Sequence, residues 1–373
     1  MKTWISLNMT PGIGPRKATQ LLEKFGSADN VFHALRSELE NLRLKPETIQ
    51  SILKKEFHEK AGEELNKVKS SGGDVLILDD GSYPHLLREI ADPPITLYVR
   101  GNWQECFEMP CVGIVGSRRC STYGRNSAEM LGRDLAEHGV CVVSGFARGI
   151  DTSAHRGAIA GRGRTIAVFG TGIDEIYPKE NQKLADEILD SGGAIVSQFP
   201  LETPPLRENF PYRNRIISGL SYGILIVEAS ERSGSLITAR LAMEQNREVL
   251  AVPGNITSKT SFGTNYLIKS GAKLVQQWQD VAAELPAEIA AELLPPKIDE
   301  KAEKKKRKSD LPKGLSVNEK RVYENLKSDA NKHFDILLAE TELSFGDLNA
   351  ALVSLDLKDL ILILPGNNYA RKI

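Results

Sequence analysis

Cys111-Val-Gly-Ile-Val-Gly-Ser-Arg-Arg119 is an apolar run that ends in a glycine, a hydroxyl group and two guanidinium groups. The same order recurs in Val140-Cys-Val-Val-Ser-Gly-Phe-Ala-Arg-Gly-Ile-Asp151, and a third run, Thr165-Ile-Ala-Val-Phe-Gly-Thr-Gly172, also ends in glycines. Small residues between a strand and a helix let the backbone approach a phosphate closely. Because parallel strands bring their carboxyl ends to one rim, these three runs predict an anion-binding pocket on a parallel sheet.

The neighbouring segments predict an extended Rossmann-like parallel sheet, an α/β fold. Two short strands, 75–78 and 95–99, are expected to extend its edge. Continuous apolar runs, typical of strands covered on both faces, follow at 194–198, 224–228 and 249–252. Helical segments that supply the crossovers are expected at 123–138, 152–160, 181–190, 212–219 and 235–246.

Residues 1–71 predict a separate helical N-terminal domain of helix-hairpin-helix or SAM-like type. Its motif is Pro11-Gly-Ile-Gly-Pro-Arg-Lys17. In a helix-hairpin-helix, a Gly-Ile-Gly turn presents backbone N–H groups to a nucleic-acid phosphate, and basic residues begin the next helix. The residues that fit this role are Gly12, Gly14, Arg16 and Lys17. The alternative is a small helical interaction domain that makes no phosphate contact.

The central domain is expected to span residues 73–286. A charged linker at 287–312 and a winged-helix domain at 313–373 are expected to follow it. Helical patterns at 317–327, 334–340 and 345–355 precede a strand pattern with a turn at Pro365-Gly-Asn-Asn368. The third helical segment contains no lysine or arginine, whereas a recognition helix aims basic or amide side chains at base edges. We therefore expect this domain to contact protein, or to dock on the rest of this chain, rather than to read DNA sequence.

Composition limits the class of protein further. The 373 residues carry a net charge of −1, which argues against a protein that coats nucleic acid by charge alone. No apolar run reaches the roughly 18 residues of a membrane span and no signal peptide is evident, so we expect a cytoplasmic protein with no membrane contact. The four cysteines and six histidines lack metal-ligand spacing, so neither a metal nor a cofactor is expected.

Arginines are concentrated around the predicted pocket. Residues 118–164 contain eight arginines and no lysine. Arginine is favoured where bidentate phosphate contact or base stacking matters, although a solvated helix face explains Arg133 and Arg156 equally well. A dinucleotide is disfavoured because the GxGxxG fingerprint and its acidic partner are absent, and a P-loop is excluded because no GxxxxGK[ST] occurs.

Two further segments are expected to complete the pocket. Glu208-Asn-Phe-Pro-Tyr-Arg-Asn-Arg-Ile-Ile217 places aromatic, amide and guanidinium groups together. Single-stranded nucleic acid needs such interleaving, because bases stack on rings while guanidinium groups follow the backbone. Phe210 is expected in a Pro-flanked loop, where it either stacks on a base or anchors the core. Ser233-Gly-Ser-Leu-Ile-Thr238 opens a helix and offers another anion seat.

These motifs together resemble the DNA-processing protein A family, DprA or Smf. They are Gly-Ile-Val-Gly-Ser-Arg at 113–118, Ser-Gly-Phe-Ala-Arg-Gly-Ile-Asp at 144–151, the segment 208–217, Ser-Gly-Ser-Leu-Ile-Thr-Ala-Arg at 233–240 and Val-Pro-Gly-Asn-Ile at 252–256. The resemblance implies a homodimer that binds single-stranded DNA without sequence preference and loads the RecA recombinase during natural transformation. It implies no enzymatic activity.

The resemblance also implies which residues touch DNA. Arg118, Arg207 and Phe210 correspond to the family's contact residues. Further candidates from the same motifs are Gly116, Ser117, Gly145, Arg148, Gly149, Asn209, Arg213, Asn214 and Ser235.

An alternative is a nucleoside-monophosphate hydrolase of the lysine-decarboxylase-like (LOG) family, which shares a similar fold. Its PGGxGTxxE motif provides a glutamate three residues after the threonine, where this chain has Leu241. Because the sequence places no general acid or base there, hydrolysis is the less favoured interpretation.

Overall fold

The computed structural model describes residues 1–294, 312, 314–328 and 330–372. Its first part is helical, as predicted, and apolar residues of several helices, including Trp4, Leu21 and Ile52, pack into one core that Ile95 of the central part joins. The helices are α1 Lys2–Met9, α2 Pro15–Phe25, α3 Ala28–Val31, α4 Arg36–Glu40, α5 Pro46–Leu53 and α6 His58–Ser70.

The central part alternates strands and helices, as predicted. Its first half contains β1 Gly73–Ile77, α7 His85–Arg88, β2 Thr96–Gly101, α8 Trp103–Glu108, β3 Cys111–Val115, α9 Thr122–Glu137, β4 Cys141–Ser144, α10 Ile150–Ala160 and β5 Thr165–Val168. Its second half contains α11 Gln182–Asp190, β6 Ala194–Ser197, α12 Asn209–Gly219, β7 Gly223–Ile226, α13 Ser235–Glu244, β8 Glu248–Ala251, α14 Phe262–Lys269, β9 Lys273–Leu274, α15 Trp278–Ala282 and α16 Ala287–Leu293.

The strands form one sheet in the order β1-β2-β6-β5-β4-β3-β7-β8-β9. In this order, the seven strands from β6 through β3 to β9 are parallel to one another. Strands β1 and β2 add an antiparallel edge. The strand order reverses direction at β3, which pairs with β4 on one side and with β7 on the other. In open parallel sheets a ligand crevice forms at such a switch point, outside the carboxyl ends of the strands.

Burial explains why the central strands read as continuous apolar runs. Every residue of β3, β4, β5 and β7 is buried. One face of the sheet packs in a cluster that contains Val115 and Ile226, and the other in a cluster that contains Ile114 and Leu225. Helices on both faces therefore fix the sheet and hold its carboxyl edge in place.

The structure corrects three details of the predicted organisation. Helix α12 begins at Asn209, so Phe210 lies in a helical turn rather than in a loop. The sequence did not predict the short edge strand β9. The segment expected as linker from residue 287 begins with helix α16, and its charge run, 304–308, lies outside the described residues.

The C-terminal part is a winged helix, as predicted. It contains α17 Val317–Asn325, β10 Lys332–His333, α18 Phe334–Thr341, α19 Phe345–Leu357, β11 Ile361–Leu364 and β12 Asn368–Arg371, with the strands in the order β10-β12-β11. It contacts the central domain at α9, where the Asn126 amide donates to the carbonyl oxygens of Ser328 and Arg371 at 3.0 and 3.3 Å. No helix in the described ranges has the length and apolarity that a membrane crossing requires.

Helices α9 and α10 pack against each other through glycines. A Cβ atom on Gly132 would lie 2.7 Å from the Ala154 carbonyl oxygen, and one on Gly157 would collide with the Glu129 carbonyl oxygen. Both positions meet main-chain atoms, which cannot rotate away as a side chain can. This contact fixes the two helices that follow the first two turns of the predicted pocket.

We predict that Gly157→Ala destabilises the protein by about 1–3 kcal/mol, because the added methyl group forces α9 and α10 apart. Urea unfolding followed by circular dichroism measures the loss. Gly234→Ala is the control, because a Cβ atom there meets nothing within 4 Å. An unchanged unfolding midpoint for Gly157→Ala would contradict the packing described for this contact.

Candidate functional site

A cleft of about 670 Å³ opens at the carboxyl ends of the central strands. It lies at the switch point of the strand order, where the turns after β3 and β4 face helices α12 and α13. Its lining residues are Val115, Gly116, Arg118, Ala147, Asp151, Tyr177, Pro205, Arg207, Phe210, Pro211, Arg213, Asn214, Ile217, Ser233, Gly234, Ser235, Ile237 and Thr238.

The turn after β3 is held by main-chain contacts. The Ser117 N–H group donates to the Glu228 carbonyl oxygen at 2.8 Å, and the Ile150 N–H group donates to the Ser117 carbonyl oxygen at 3.3 Å. Gly116 is required between them, because a Cβ atom there would lie 2.6 Å from Ile150 and 2.9 Å from the Glu228 carbonyl oxygen. The turn is therefore rigid, and Arg118 leaves it toward the cleft.

The turn after β4 packs directly on the first one. Phe146 has a φ of 58° and Gly149 a φ of 78°, so the chain turns sharply between them. A Cβ atom on Gly149 would lie 2.8 Å from the Arg118 carbonyl oxygen. Gly149 thus serves two purposes, since it adopts a left-handed conformation and leaves room for the neighbouring turn.

Arg213 is buried beneath the cleft and ties the strand exits together. Its guanidinium group donates to the Gly145 carbonyl oxygen at 2.8 Å and to the Val168 carbonyl oxygen, so it links the ends of β4 and β5. Burial lowers its pKa to about 10, and the protein keeps it charged at neutral pH. Arg213 therefore adds positive charge to the floor of the cleft while its hydrogen bonds serve the fold.

Asp151 places a carboxylate in the same cleft. Its Oδ2 atom accepts from the Ala147 N–H group at 3.2 Å, which braces the second turn. Burial raises its pKa to about 6, against the opposing influence of the Arg213 guanidinium group. Its charge at neutral pH thus opposes that of the arginines around it.

Arg118 and Phe210 meet at the wall of the cleft. The guanidinium carbon of Arg118 lies 5.4 Å from the centroid of the Phe210 ring, and the Tyr177 ring lies 5.5 Å from it on a tilted plane. Gly170 makes room for the ring, because a Cβ atom there would lie 2.9 Å from its edge. The ring is half-buried, so part of it stays open to a stacking partner.

The structure brings seven of the predicted site residues into the lining of the cleft: Gly116, Arg118, Arg207, Phe210, Arg213, Asn214 and Ser235. Ser117, Gly145 and Gly149 form the turns behind it, and Asn209 is buried at the start of α12. Arg148 is turned toward Glu180, with which it forms an ion pair at 2.6 Å. The roles of all these residues in DNA binding stay predictions.

The sequence did not single out Tyr177, Asp151 or Thr238 as members of the cleft. Asp151 and Thr238 lie within the quoted motifs, Asp151 after a turn and Thr238 near a helix start. These positions in the sequence could have indicated that both residues line the cleft. Tyr177 lies in the connection between β5 and α11. It carries no local signal, because only the folded chain brings it to Phe210.

The N-terminal turn lies beside the central domain. Gly12 has a φ of 83°, and the Thr48 hydroxyl group fixes the turn by donating to the Pro11 carbonyl oxygen at 2.9 Å. A Cβ atom on Gly14 would lie 3.8 Å from the Tyr212 hydroxyl oxygen of α12. Arg16 is exposed and Lys17 is half-buried. Their contact with a phosphate stays a prediction.

Candidate metal ligands are not grouped in the ranges that the structure describes, where no cluster of three His, Cys, Asp or Glu side chains fits a metal ion. All four cysteines are free thiols, and Cys111 and Cys141 are strand residues, as predicted.

This fold and cleft define a Rossmann-like protein with an arginine-lined cleft, flanked by helical and winged-helix units. Residues 74–286 match the family described as DNA recombination-mediator protein A, and residues 306–367 match the DprA winged helix domain. The chain belongs to the DNA recombination-mediator protein A family, as its motifs predicted.

Curated relatives support this assignment. The chain is 32% identical over 394 residues to the protein Smf of Synechocystis, an alignment that covers 99% of this chain and 98% of that protein. It is 47% identical over 207 residues to the protein Smf of Escherichia coli, which covers 56% of this chain and 55% of that protein. The chain thus spans about half the length of the second relative.

Solved structures of two family members are also similar. DNA processing protein A from Streptococcus pneumoniae matches with a TM-score of 0.68 at 36% identity, over 77% of this chain and 98% of that chain. DNA processing protein A from Helicobacter pylori, described for its single-stranded DNA binding mode, matches with a TM-score of 0.50 at 30% identity, over 56% of this chain and 93% of that chain.

The buried carboxyl group of Asp151 predicts that the affinity of the cleft for phosphate groups depends on pH. A bound phosphate favours the protonated, uncharged form of Asp151. The affinity for phosphate should therefore rise as the pH falls through about 6, the pKa of Asp151. Fluorescence anisotropy with a labelled oligothymidylate at about pH 7.5 and about pH 5 measures the change. Asp151→Asn should bind more tightly at the higher pH and lose most of the pH dependence. Equal pH profiles for the two proteins would contradict this assignment.

Proposed function

We propose that this protein binds single-stranded DNA without sequence preference in the cleft and loads the RecA recombinase onto the bound strand. The observation that carries the binding role is the pairing of Arg118 with Phe210, 5.4 Å apart on one wall. A guanidinium group beside an aromatic ring meets both needs of a single strand, a phosphate contact and a stacking surface. Membership of the family supports the assignment.

The shape and polarity of the cleft favour a single strand over a duplex. Phe210 is half-buried between Arg118 and Tyr177, so a base must leave its stack to reach the ring. The main-chain turns, the hydroxyl groups of Ser233 and Ser235 and the arginines offer donors to phosphate oxygens rather than to one base edge. Sequence-independent binding follows from contacts of this kind.

RecA loading and natural transformation extend the proposal beyond the cleft. Both are implied by the resemblance of the five motifs to the DNA-processing protein A family, and both place the protein in the cytoplasm. A binding role rather than a catalytic one also fits the cleft. Among the described residues that line it, Asp151 is the one carboxylate, and it is engaged by the Ala147 N–H group.

The first experiment is an anisotropy titration with a labelled mixed-sequence single strand and with its duplex, at low and moderate salt. We expect tighter binding to the single strand and an affinity that falls with salt, because phosphate contacts release counterions. Absence of binding to either would overturn the proposal. Nucleoside monophosphates should then be tested for hydrolysis, with Asp151 as the candidate acid or base.

Two substitutions separate the phosphate contact from the stacking contact. Arg118→Ala should weaken binding and flatten the dependence on salt by about 0.7 in the logarithmic slope, since one phosphate contact is lost. Phe210→Leu keeps an apolar side chain under the turn but removes the ring, so it should cost about 1–3 kcal/mol of binding and leave the salt slope unchanged. The same titration measures both variants.

The control for these variants is Arg156→Ala, a change of an α10 arginine that does not line the cleft. Its affinity should match that of the unmodified protein. If Arg118→Ala and Phe210→Leu also leave affinity and salt slope unchanged, the DNA site lies elsewhere on the protein.

We further propose that the homodimer forms through the β9 edge of the sheet. This edge ends the sheet, and α14 and β9 expose three large apolar side chains: Phe262 at 53%, Tyr266 at 59% and Leu274 at 39%. An open strand edge flanked by apolar groups is a natural contact for a second copy, because one two-fold axis pairs the edge with itself.

Replacing Tyr266 by arginine should therefore convert the dimer to a monomer. Size-exclusion chromatography with light scattering measures the mass. Ile336→Arg, on the exposed surface of the winged helix, is a matched control that should remain dimeric. A dimer that survives Tyr266→Arg would place the interface on another surface.

A further inference from the structure

The guanidinium group of Arg148, at the edge of the cleft, is already paired with a carboxylate. Its Nε atom donates to Oε1 of Glu180 at 2.6 Å and its Nη2 atom donates to Oε2 at 2.8 Å. This is the two-pronged geometry in which arginine also binds phosphate. Glu180 lies 32 residues further along the chain, in a short 3₁₀ turn, Lys179–Asn181.

The pair lies at the edge of the DNA cleft. Asn181 ties the two segments together, because its amide group donates to the Phe146 carbonyl oxygen at 3.1 Å. Ala147 and Asp151, on either side of Arg148, both line the cleft. Tyr177, three residues before Glu180, lines it as well and lies against the Phe210 ring.

Solvent and ligands can reach both partners. The side chains of Arg148 and Glu180 are 55% and 56% exposed, so the pair is a surface ion pair. Such pairs contribute little to stability, because water screens the charges and two long side chains must be held in place. Their separation therefore costs little, and a phosphate group that arrives at this edge competes with the carboxylate on nearly equal terms.

We propose that Glu180 limits the affinity of the cleft by holding Arg148, and that a phosphate of the bound strand displaces the carboxylate and takes its place on the guanidinium group. This inference rests on the proposed function. It makes Arg148 a DNA contact that forms only on binding. It also makes Glu180 an internal competitor that keeps the site from holding anions tightly when no strand crosses it.

The test compares Glu180→Gln with the unmodified protein by anisotropy with labelled oligothymidylate across a salt series. Glutamine keeps the shape of the side chain and removes its charge. We expect about fivefold tighter binding, because the ion pair no longer has to be broken, and an unchanged salt slope, because Arg148 contacts a phosphate in both complexes. Arg148→Ala and the double variant Arg148→Ala/Glu180→Gln should bind alike, because the gain needs the freed guanidinium group.

Glu187→Gln is the matched control. It removes a carboxylate from the same region of the chain, where Glu187 pairs with Lys183 on the surface of α11. The inference is overturned if Glu187→Gln gives the same gain, if the gain of Glu180→Gln persists without Arg148, or if Glu180→Gln leaves affinity unchanged or reduces it. These outcomes differ from a failure of the proposed function, because in each of them the unmodified protein still binds the strand. If the unmodified protein does not bind, the proposed function fails first, and the inference fails with it.

Discussion

The site depends on a steric constraint at the carboxyl end of β3, where three chain segments meet through main-chain atoms. Ser117 donates to the Glu228 carbonyl oxygen at 2.8 Å, while Gly116 and Gly149 leave no room for a Cβ atom. These contacts join the turns after β3 and β4 to the end of β7. A rigid frame follows, because the Ser117 hydrogen bond and the close contacts of Gly149 involve main-chain atoms, which cannot rotate away as a side chain can. The directions of Arg118 and of the second turn are set by this frame.

Electrostatics then determines what the frame can hold. The Arg213 guanidinium group donates to the carbonyl oxygens of Gly145 and Val168. It therefore holds the floor of the cleft together and adds positive charge to it. Arg118 and Arg207 line the cleft and add positive charge, whereas the carboxylates of Asp151 at its floor and Glu180 at its edge oppose that charge. This balance of charge fits the proposed binding and release of a flexible anionic chain.

The sequence predicted the fold wherever the signal was local. The buried strands and glycine turns from Cys111 to Gly172 read directly as a parallel sheet with one functional rim, since burial on both faces and close backbone approach each restrict the residue types. It was wrong about Phe210, because Pro211 suits a loop and the first turn of a helix equally well. It could not find β9, which is two residues long, or the Arg148–Glu180 pair, whose partners meet only in the folded chain.

The most direct test of the central claim is to locate the bound strand on the protein. A single strand that carries 5-iododeoxyuridine, crosslinked by light and mapped by peptide mass spectrometry, reports which aromatic side chains lie against its bases. We predict crosslinks at Phe210 or Tyr177, which lie together on the wall of the cleft. Crosslinks confined to the winged helix or to the N-terminal helices would contradict the account.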